Sequence, residues 1–310
     1  MRIALTGATG FLGRYLVRRL AASGHKLRCW YREGSDRSGF DGEASAVEWV
    51  PGLLGDAAAA RELVRGADAL VHAAVQWEGP RNRGRASHGA AGVFFGVNLT
   101  GSLQLFQAAL EASAARCVFL STCAVHEVIL DDRPLDETHP LWPMSHYGAH
   151  KAALEAFVHS YGLGQLGGGW PICALRPTGI YGLAHPAPAS RWFDLVGQVV
   201  RGEPVSSPKG GKEVHAADVA RAVELLLTAD TRAIAGQALN CYDMYIAEEQ
   251  VARIAKELTG SPSPIAALNR GPKHQIVTAK LRALGMTFGG EALLRGTVEE
   301  LVRAHRSSTV

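Results

Sequence analysis

The chain has 310 residues, of which 47% are hydrophobic and 20% charged, and its formal net charge is +3. That is enough sequence to bury a sizeable core, as one large domain or two unequal lobes, with the composition of an ordinary globular protein. Near-neutral charge gives no reason to expect nucleic acid or a membrane surface as a partner, and no run approaches the roughly 20 apolar residues of a membrane span. Arg14, Arg18, Arg19, Arg81, Arg83 and Arg85 are scattered, as solvated charges are. The first strand begins at once, which predicts no signal peptide. Five widely spaced cysteines (Cys29, Cys117, Cys123, Cys173, Cys241) lack any Cys-x-x-Cys pair. They read as free buried thiols in a cytoplasmic protein. His146 and His150 have chelating spacing without a third ligand, so no metal site is expected.

Ile3–Thr6 reads as a short buried strand. Gly7, Gly10 and Gly13 follow, and Leu12, Leu16 and Leu20 then recur at helical spacing up to a stop at Gly24. A strand turning sharply into a helix aims unpaired N–H groups and the positive dipole end at one point, and glycines let a pyrophosphate approach closely. Gly7, Thr9, Gly10, Phe11, Leu12 and Gly13 are therefore candidate dinucleotide contacts. A glycine-rich turn without ligand is the plainer alternative.

Further strands are predicted at Lys26–Tyr31, Ala69–Ala74, Arg116–Ser121 and Ile172–Arg176, with helical patterns at Leu99–Ala112 and Gly148–Leu163 between them. This alternation predicts an α/β fold: a doubly wound, Rossmann-type parallel sheet with helices on both faces. The pattern breaks at Gly179–Lys212, which reads as loops around a short helix near Trp192–Val200. A helix returns over His215–Leu227, and from Tyr245 the chain reads as mostly helical with a loop at Ser261–Gly271. The division expected is a dinucleotide-binding core at 1–178 plus 213–244, and a smaller, mostly helical substrate lobe at 179–212 plus 245–310.

Tyr147 and Lys151 lie one turn apart on one helix face. An ammonium near a phenol favours phenolate, which suits a group that exchanges a proton near neutral pH. Tyr-x-x-x-Lys also fits an amphipathic helix with a surface lysine, but Leu154 and Val158 continue the same stripe and turn the pair toward the sheet. Ser121 and Thr122 end a strand at the edge where parallel sheets bind ligands.

Together these features resemble the extended branch of the short-chain dehydrogenase/reductase superfamily, which also holds sugar-nucleotide epimerases and dehydratases. The resemblance spans nearly the whole chain: Thr6–Gly13, Gly55-Asp56, Val71–Ala74, Val97–Gly101, Leu120–Thr122, Tyr147–Lys151, Leu175–Gly182, Val214–Asp218 and the ending Leu284-Gly-Met with 293–303. It implies Tyr147 as acid/base, Lys151 as its pKa-lowering partner and ribose contact, and Thr122 as the third catalytic member. It further implies Asp56 at the adenine, Ala73 and Ala74 beside ribose and nicotinamide, and Pro177 at the nicotinamide. Among the cofactor-site residues it implies Asn98 as a brace of the active-site helix, with a proton relay as its alternative role. A homodimer is expected on the same ground.

The departures narrow this. Tyr31 and Arg32 stand where NAD-preferring relatives end their second strand in an acid, so NADP is expected, with NAD as the alternative. Arg37 and Arg14 are weaker phosphate candidates. Cys123-Ala124 follow Thr122 where dehydratases carry Asp-Glu, and Val125-His-Glu127 replaces the epimerases' Val-Tyr-Gly. Thr178 or Gly179 replaces an asparagine of the epimerases, and Lys212 is one residue out of register with their diphosphate-gripping arginine. His126 reads as a lining group or an extra acid/base, and Trp77, Trp142, Trp192 and Phe193 as pocket walls or packing. The expectation is an NADP-dependent carbonyl reductase or alcohol dehydrogenase acting on a small or medium organic substrate. The alternatives are a nucleotide-sugar epimerase working through a transient keto sugar and a non-enzymatic NADP sensor.

Overall fold

Short apolar runs, each too short to bury itself, become stable only when laid side by side, and the chain does this in order. In the computed structural model, which describes residues 1–77, 92–164, 169–268 and 271–307, the strands are β1 (Arg2–Thr6), β2 (Lys26–Tyr31), β3 (Val47–Pro51), β4 (Ala69–His72), β5 (Arg116–Leu120), β6 (Ile172–Pro177), β7 (Gly179–Tyr181), β8 (Gly210–His215), β9 (Gln237–Cys241) and β10 (Met244–Ala247). The helices are α1 (Phe11–Ala22), α2 (Ala57–Val64), α3 (Gly101–Glu111), α4 (His146–Leu163), α5 (Phe193–Val200), α6 (Ala216–Thr228), α7 (Thr231–Ile234), α8 (Glu248–Thr259), α9 (Ala279–Ala283) and α10 (Gly290–Ser307). Arg81, Arg83 and Arg85 lie outside the described residues.

One unit comprises Met1–Pro177, Val219–Cys241 and Ile276–Met286. Its seven-stranded sheet has the order β3-β2-β1-β4-β5-β6-β9, with every neighbouring pair parallel. The period of two sends Ala4, Leu70, Phe119 and Ala174 into one core with Leu63 of α2, Phe106 of α3 and Leu154 of α4. On α1 the buried stripe is Gly13, Leu16, Val17 and Leu20, and Arg19 of α1 pairs with Glu224 of α6 at 2.5 Å. Helix α1 stops where predicted: Gly24 takes φ +78° and donates to Ala21 O (2.9 Å), while His25 N reaches Leu20 O at 3.1 Å. Strand order reverses between β1 and β4, so their carboxyl ends open the crevice in which such sheets bind ligands.

A π-helix, Val93–Thr100, runs directly into α3. Together they form a 19-residue helix, Val93–Glu111, long and apolar enough to cross a membrane, of whose apolar stretch 44% is buried within the protein. The sequence expectation that no run approaches that length is corrected here. Leu105, Phe106 and Ala109 place this helix in the core, where its apolarity is used.

The second unit comprises Thr178–Asp218, Tyr242–Gln275 and Thr287–Val310. Glycine and proline made its strands unreadable, yet β10, β8 and β7 form a three-stranded sheet, antiparallel between β10 and β8 and parallel between β7 and β8. Residues 178, 213–218 and 242–244 fall in this unit and 276–286 in the first, where the sequence-based division has each the other way round. Trp192 packs on Tyr181 with ring centroids 5.3 Å apart, and Phe193 stacks on His305 at 3.8 Å. Both rings serve packing in this unit.

The turn after β1 tolerates little. Gly7 has φ +78°, and a Cβ there would lie 2.9 Å from the Ala73 carbonyl carbon; at Gly13 it would lie 2.0 Å from the Gly7 carbonyl oxygen. At Gly10 the nearest contact would be 3.2 Å. Gly13→Ala is therefore expected to lower the unfolding free energy in urea by about 3 kcal/mol, and Gly10→Ala by about 1 kcal/mol or less.

Candidate active site

A groove of about 330 Å³ lies over the switch point, with Gly7, Thr9 and Gly10 at its floor and Ala73 and Ala74 on one side. At the end of β2, Tyr31, Arg32 and Ser35 border it. Phe11, Leu12 and Gly13 form the first turn of α1 behind Gly10, which carries no side-chain cap. Their N–H groups have no acceptor within the helix, and the positive end of the dipole faces the turn. Only glycine fits Gly7 and Gly13, so this cradle suits a diphosphate brought close to backbone.

A directed hydrogen-bond chain fixes the groove's side wall. The Ser102 hydroxyl donates to the Asn98 carbonyl at 2.5 Å, so its oxygen accepts from His72 Nε2 at 2.8 Å. His72 Nδ1 is then bare and accepts from the Thr6 hydroxyl at 2.7 Å. Thr6 Oγ1 in turn accepts the N–H groups of Ala73 (3.2 Å) and Ala74 (3.1 Å). Burial, with Lys151 and His150 adding to it, holds His72 well below the usual histidine range, hence neutral. Asn98, set in the π-helix, pairs through its amide with the N–H and C=O of Gln76, both at 2.8 Å. It therefore braces a groove residue and does not line the groove itself.

Beyond the groove, the ends of β5 and β6 and the first turns of α4 bring Thr122, Tyr147 and Lys151 together. Thr122 caps the short 3₁₀ turn Cys123–His126, accepting from Ala124 N at 3.1 Å, and it lies beside the Tyr147 phenol. Burial pushes Tyr147 above its ordinary value while Thr122 pulls the other way. Lys151 is only 2% exposed; its Nζ donates to the Leu120 carbonyl at 2.6 Å and lies 4.5 Å from the Phe119 ring. Burial lowers it to about 7, against a smaller opposing pull from Glu155. The groups that shift the Tyr147 phenol are burial and Thr122, where the sequence suggests Lys151. Burial moves both side chains toward their neutral forms, Tyr147 upward and Lys151 downward.

Glu155 carries the unit that reasoning from sequence missed. It is fully buried, one turn past Lys151, and pairs with Arg176 of β6 through Nε (3.0 Å to both oxygens) and Nη2 (2.5 Å). Ser121 also donates to it. Ser121 is thereby turned under the sheet edge, leaving Thr122 to meet Tyr147. Arg176 Nη1 meets His126 Nε2 at 3.1 Å, and His126 Nδ1 donates to the Pro140 carbonyl at 3.1 Å. With both nitrogens engaged and its pKa lowered to about 4 by burial and Arg176, His126 is a bracing group, neither a lining residue nor an acid/base. The i, i+4 spacing of Glu155 from Lys151 was the available signal.

Other sequence candidates land elsewhere. Asp56 caps α2, accepting from Ala58 N (2.9 Å) and Ala59 N (3.0 Å); it does not line the groove, where Leu53 and Leu54 stand instead. An aspartate before an alanine-rich helix satisfies orphan N–H groups first. Arg14 is 3% exposed, bonds the carbonyls of Ser38 (2.7 Å) and Asp36 (3.0 Å), and is a brace, not a solvated charge. Arg37 lies over the Tyr31 ring at 4.1 Å. The Arg32 N–H is held by Ser35 Oγ at 3.0 Å. Pro177 ends β6, paired with Cys241. Among the described residues no group of three His, Cys, Asp or Glu is placed to hold a metal ion.

This chain is similar to known proteins. A 4-hydroxy-2-methyl-3-oxo-4-farnesyl-3,4-dihydroquinoline-1-oxide ketoreductase from Stigmatella aurantiaca is 31% identical over 201 residues, 63% of this chain and 55% of that protein. A ceramide reductase from Caulobacter vibrioides is 32% identical over 180 residues, 58% of this chain and 46% of that protein. The chain thus spans about half the length of these curated relatives. The UDP-glucose 4-epimerase of Thermotoga maritima, solved with UDP-glucose, superposes with a TM-score of 0.77 at 20% identity over 100% of both chains, a likeness of fold. Residues 3–241 match the pattern of one family throughout, and the chain belongs to that family, the NAD dependent epimerase/dehydratase family of nicotinamide-dinucleotide enzymes.

Proposed function

We propose that this protein is an NADP-dependent carbonyl reductase or alcohol dehydrogenase acting on a small organic substrate. The observation that carries the reading is Thr122 set beside the Tyr147 phenol, with Lys151 one turn along α4. Thr122 would orient a carbonyl oxygen and Tyr147 would give it a proton, or take one from an alcohol in reverse. Lys151 would hold the nicotinamide ribose, and Gly7, Thr9, Gly10, Phe11, Leu12 and Gly13 the diphosphate, with Ala73, Ala74 and Pro177 toward the nicotinamide. The dinucleotide supplies hydride to the carbonyl carbon when bound.

Two features favour reduction over the other chemistries of the family. The residues after Thr122 are a cysteine whose thiol donates to the Arg176 carbonyl at 3.0 Å and an alanine, so the acids an elimination needs are missing. Two relatives are named as reductases. NADP over NAD rests on Arg32, which borders the groove without a carboxylate at Tyr31 to repel a 2′-phosphate. A cytoplasmic setting belongs to the same reading, supported by five free cysteines, and so does a homodimer, on family likeness.

Titration with NADPH and NADH, followed by NADPH oxidation against a carbonyl panel, tests the reading. Net NADPH consumption is expected; turnover of a nucleotide sugar with no net consumption would mark an epimerase instead. Tyr147→Phe should bind NADPH normally yet lose at least about a hundredfold in kcat. Arg32→Ala should weaken NADPH binding about tenfold to a hundredfold and leave NADH binding within about twofold, since a charge-assisted hydrogen bond contributes about 1.5–3 kcal/mol.

The lysine adds a pH dependence. With Lys151 at about 7 when folded against an ordinary 10.5, the unfolded chain binds the extra proton between those values. Stability therefore rises with pH across that window, and the cost of burying this lysine is full below pH 7. Lys151→Met removes that cost, so its stability relative to the parent should fall by about 2–3 kcal/mol between pH 6 and pH 9.5 in urea unfolding. A difference that does not change with pH would contradict the burial argument.

A further inference from the structure

The face of Tyr147 away from Lys151 is aromatic and in part open. The Trp77 indole stacks on the Tyr147 ring at 5.1 Å with an interplanar angle of 28° and is 38% exposed. Phe94 of the π-helix supports both rings edge-on, at 5.6 Å from Trp77 and 6.5 Å from Tyr147. Being buried at 1%, Phe94 fixes the position of the pair. Phe95, next in the π-helix, is half-exposed and touches His146, the residue before Tyr147, at 5.9 Å. Met144, just before the helix that carries Tyr147, is exposed as well. Large exposed apolar groups gathered at one reactive residue mark a binding surface, where the same groups scattered singly would not.

Among the described residues this rim carries one carboxylate. Glu127 accepts from the N–H groups of Met144 and Ser145 (2.7 Å for the latter) and from the Ser145 hydroxyl at 2.9 Å. Ser145 in turn caps α4, accepting from Gly148 N at 3.1 Å. The end of α4 that would draw an anion therefore already holds a carboxylate. Among the described residues, a nucleoside diphosphate placed here would meet that carboxylate, which a neutral ligand would not oppose.

We propose that Trp77 reads the substrate, and that the substrate is an uncharged, flat, conjugated ketone whose ring system lies on the open part of the indole while its oxygen reaches Thr122 and Tyr147. This rests on the carbonyl-reductase reading and names the substrate class of that site. Trp77 is a specificity residue: it offers a flat, polarisable face beside the reacting oxygen and takes no proton. A puckered ring of equal size cannot match that face, so the preference for flatness is about twofold to tenfold.

The test compares 2-acetylnaphthalene with its saturated counterpart 2-acetyldecalin on the NADPH-loaded protein. Binding is measured by calorimetry, which needs no turnover, and reduction is measured separately. The naphthyl ketone should bind about two- to tenfold more tightly; Trp77→Leu should bring the ratio near one, and Trp77→Phe should restore part of it. Equal binding of the two ketones, no binding of either, a ratio that survives in Trp77→Leu, or displacement of the naphthyl ketone by UDP-glucose at lower concentration overturns the proposal. Binding with the expected ratio but no reduction would leave the proposal standing and remove the reductase reading beneath it.

Discussion

The site depends on one buried ion pair. Glu155 and Arg176 are 0% and 1% exposed, and removing two such charges from water costs more than a single contact returns. The cost is offset because the carboxylate is saturated: Arg176 bonds it through two nitrogens and Ser121 donates to it as well. These bonds join α4, β5 and β6 at one point, beneath Thr122 and Tyr147. Since Ser121 is bound from below, its neighbour Thr122 faces the opposite way, toward Tyr147. The alternation of an extended segment thus converts a buried salt bridge into the orientation of the Thr122 hydroxyl.

Above that anchor, the chain holds Tyr147 and Lys151 where neither charge is comfortable. Tyr147 is raised by burial and Lys151 is lowered by it, so burying this pair costs stability.

How far the sequence carries depends on the kind of signal. The β2 strand, Lys26–Tyr31, and the end of α1 at Gly24 were legible because an apolar run and a left-handed glycine each have one dominant structural meaning. Val47–Pro51 was not, because only Val50 in that edge strand is buried and no apolar pattern forms. Gly210–His215 was hidden by glycines that read as loop. Asp56 shows the ambiguity of a two-residue signal: Gly-Asp before a helix fits a ligand contact and a helix cap equally, and the local N–H groups decide it. Glu155 sat in plain view, but a charge on a buried stripe identifies its partner only when Arg176, on a strand of another βα unit, is brought to it by the fold. Trp77 could be named from sequence, while its stacking on Tyr147 depends on a turn of the chain that no local pattern encodes.

The π-helix at Val93–Thr100 has a consequence for how this chain tolerates length changes. Each helical residue advances the side chain by about 100°, so deleting one residue there, the simplest route back to α-helical geometry, would rotate everything on one side of the deletion by that angle. Asn98 would swing off Gln76, or Phe94 off Trp77 and Tyr147, because the two are held in fixed phase only by the wider turn. Substitutions within this stretch are absorbed residue by residue, whereas a gap is not. An otherwise unremarkable surface helix of the same composition would lose a residue with little effect.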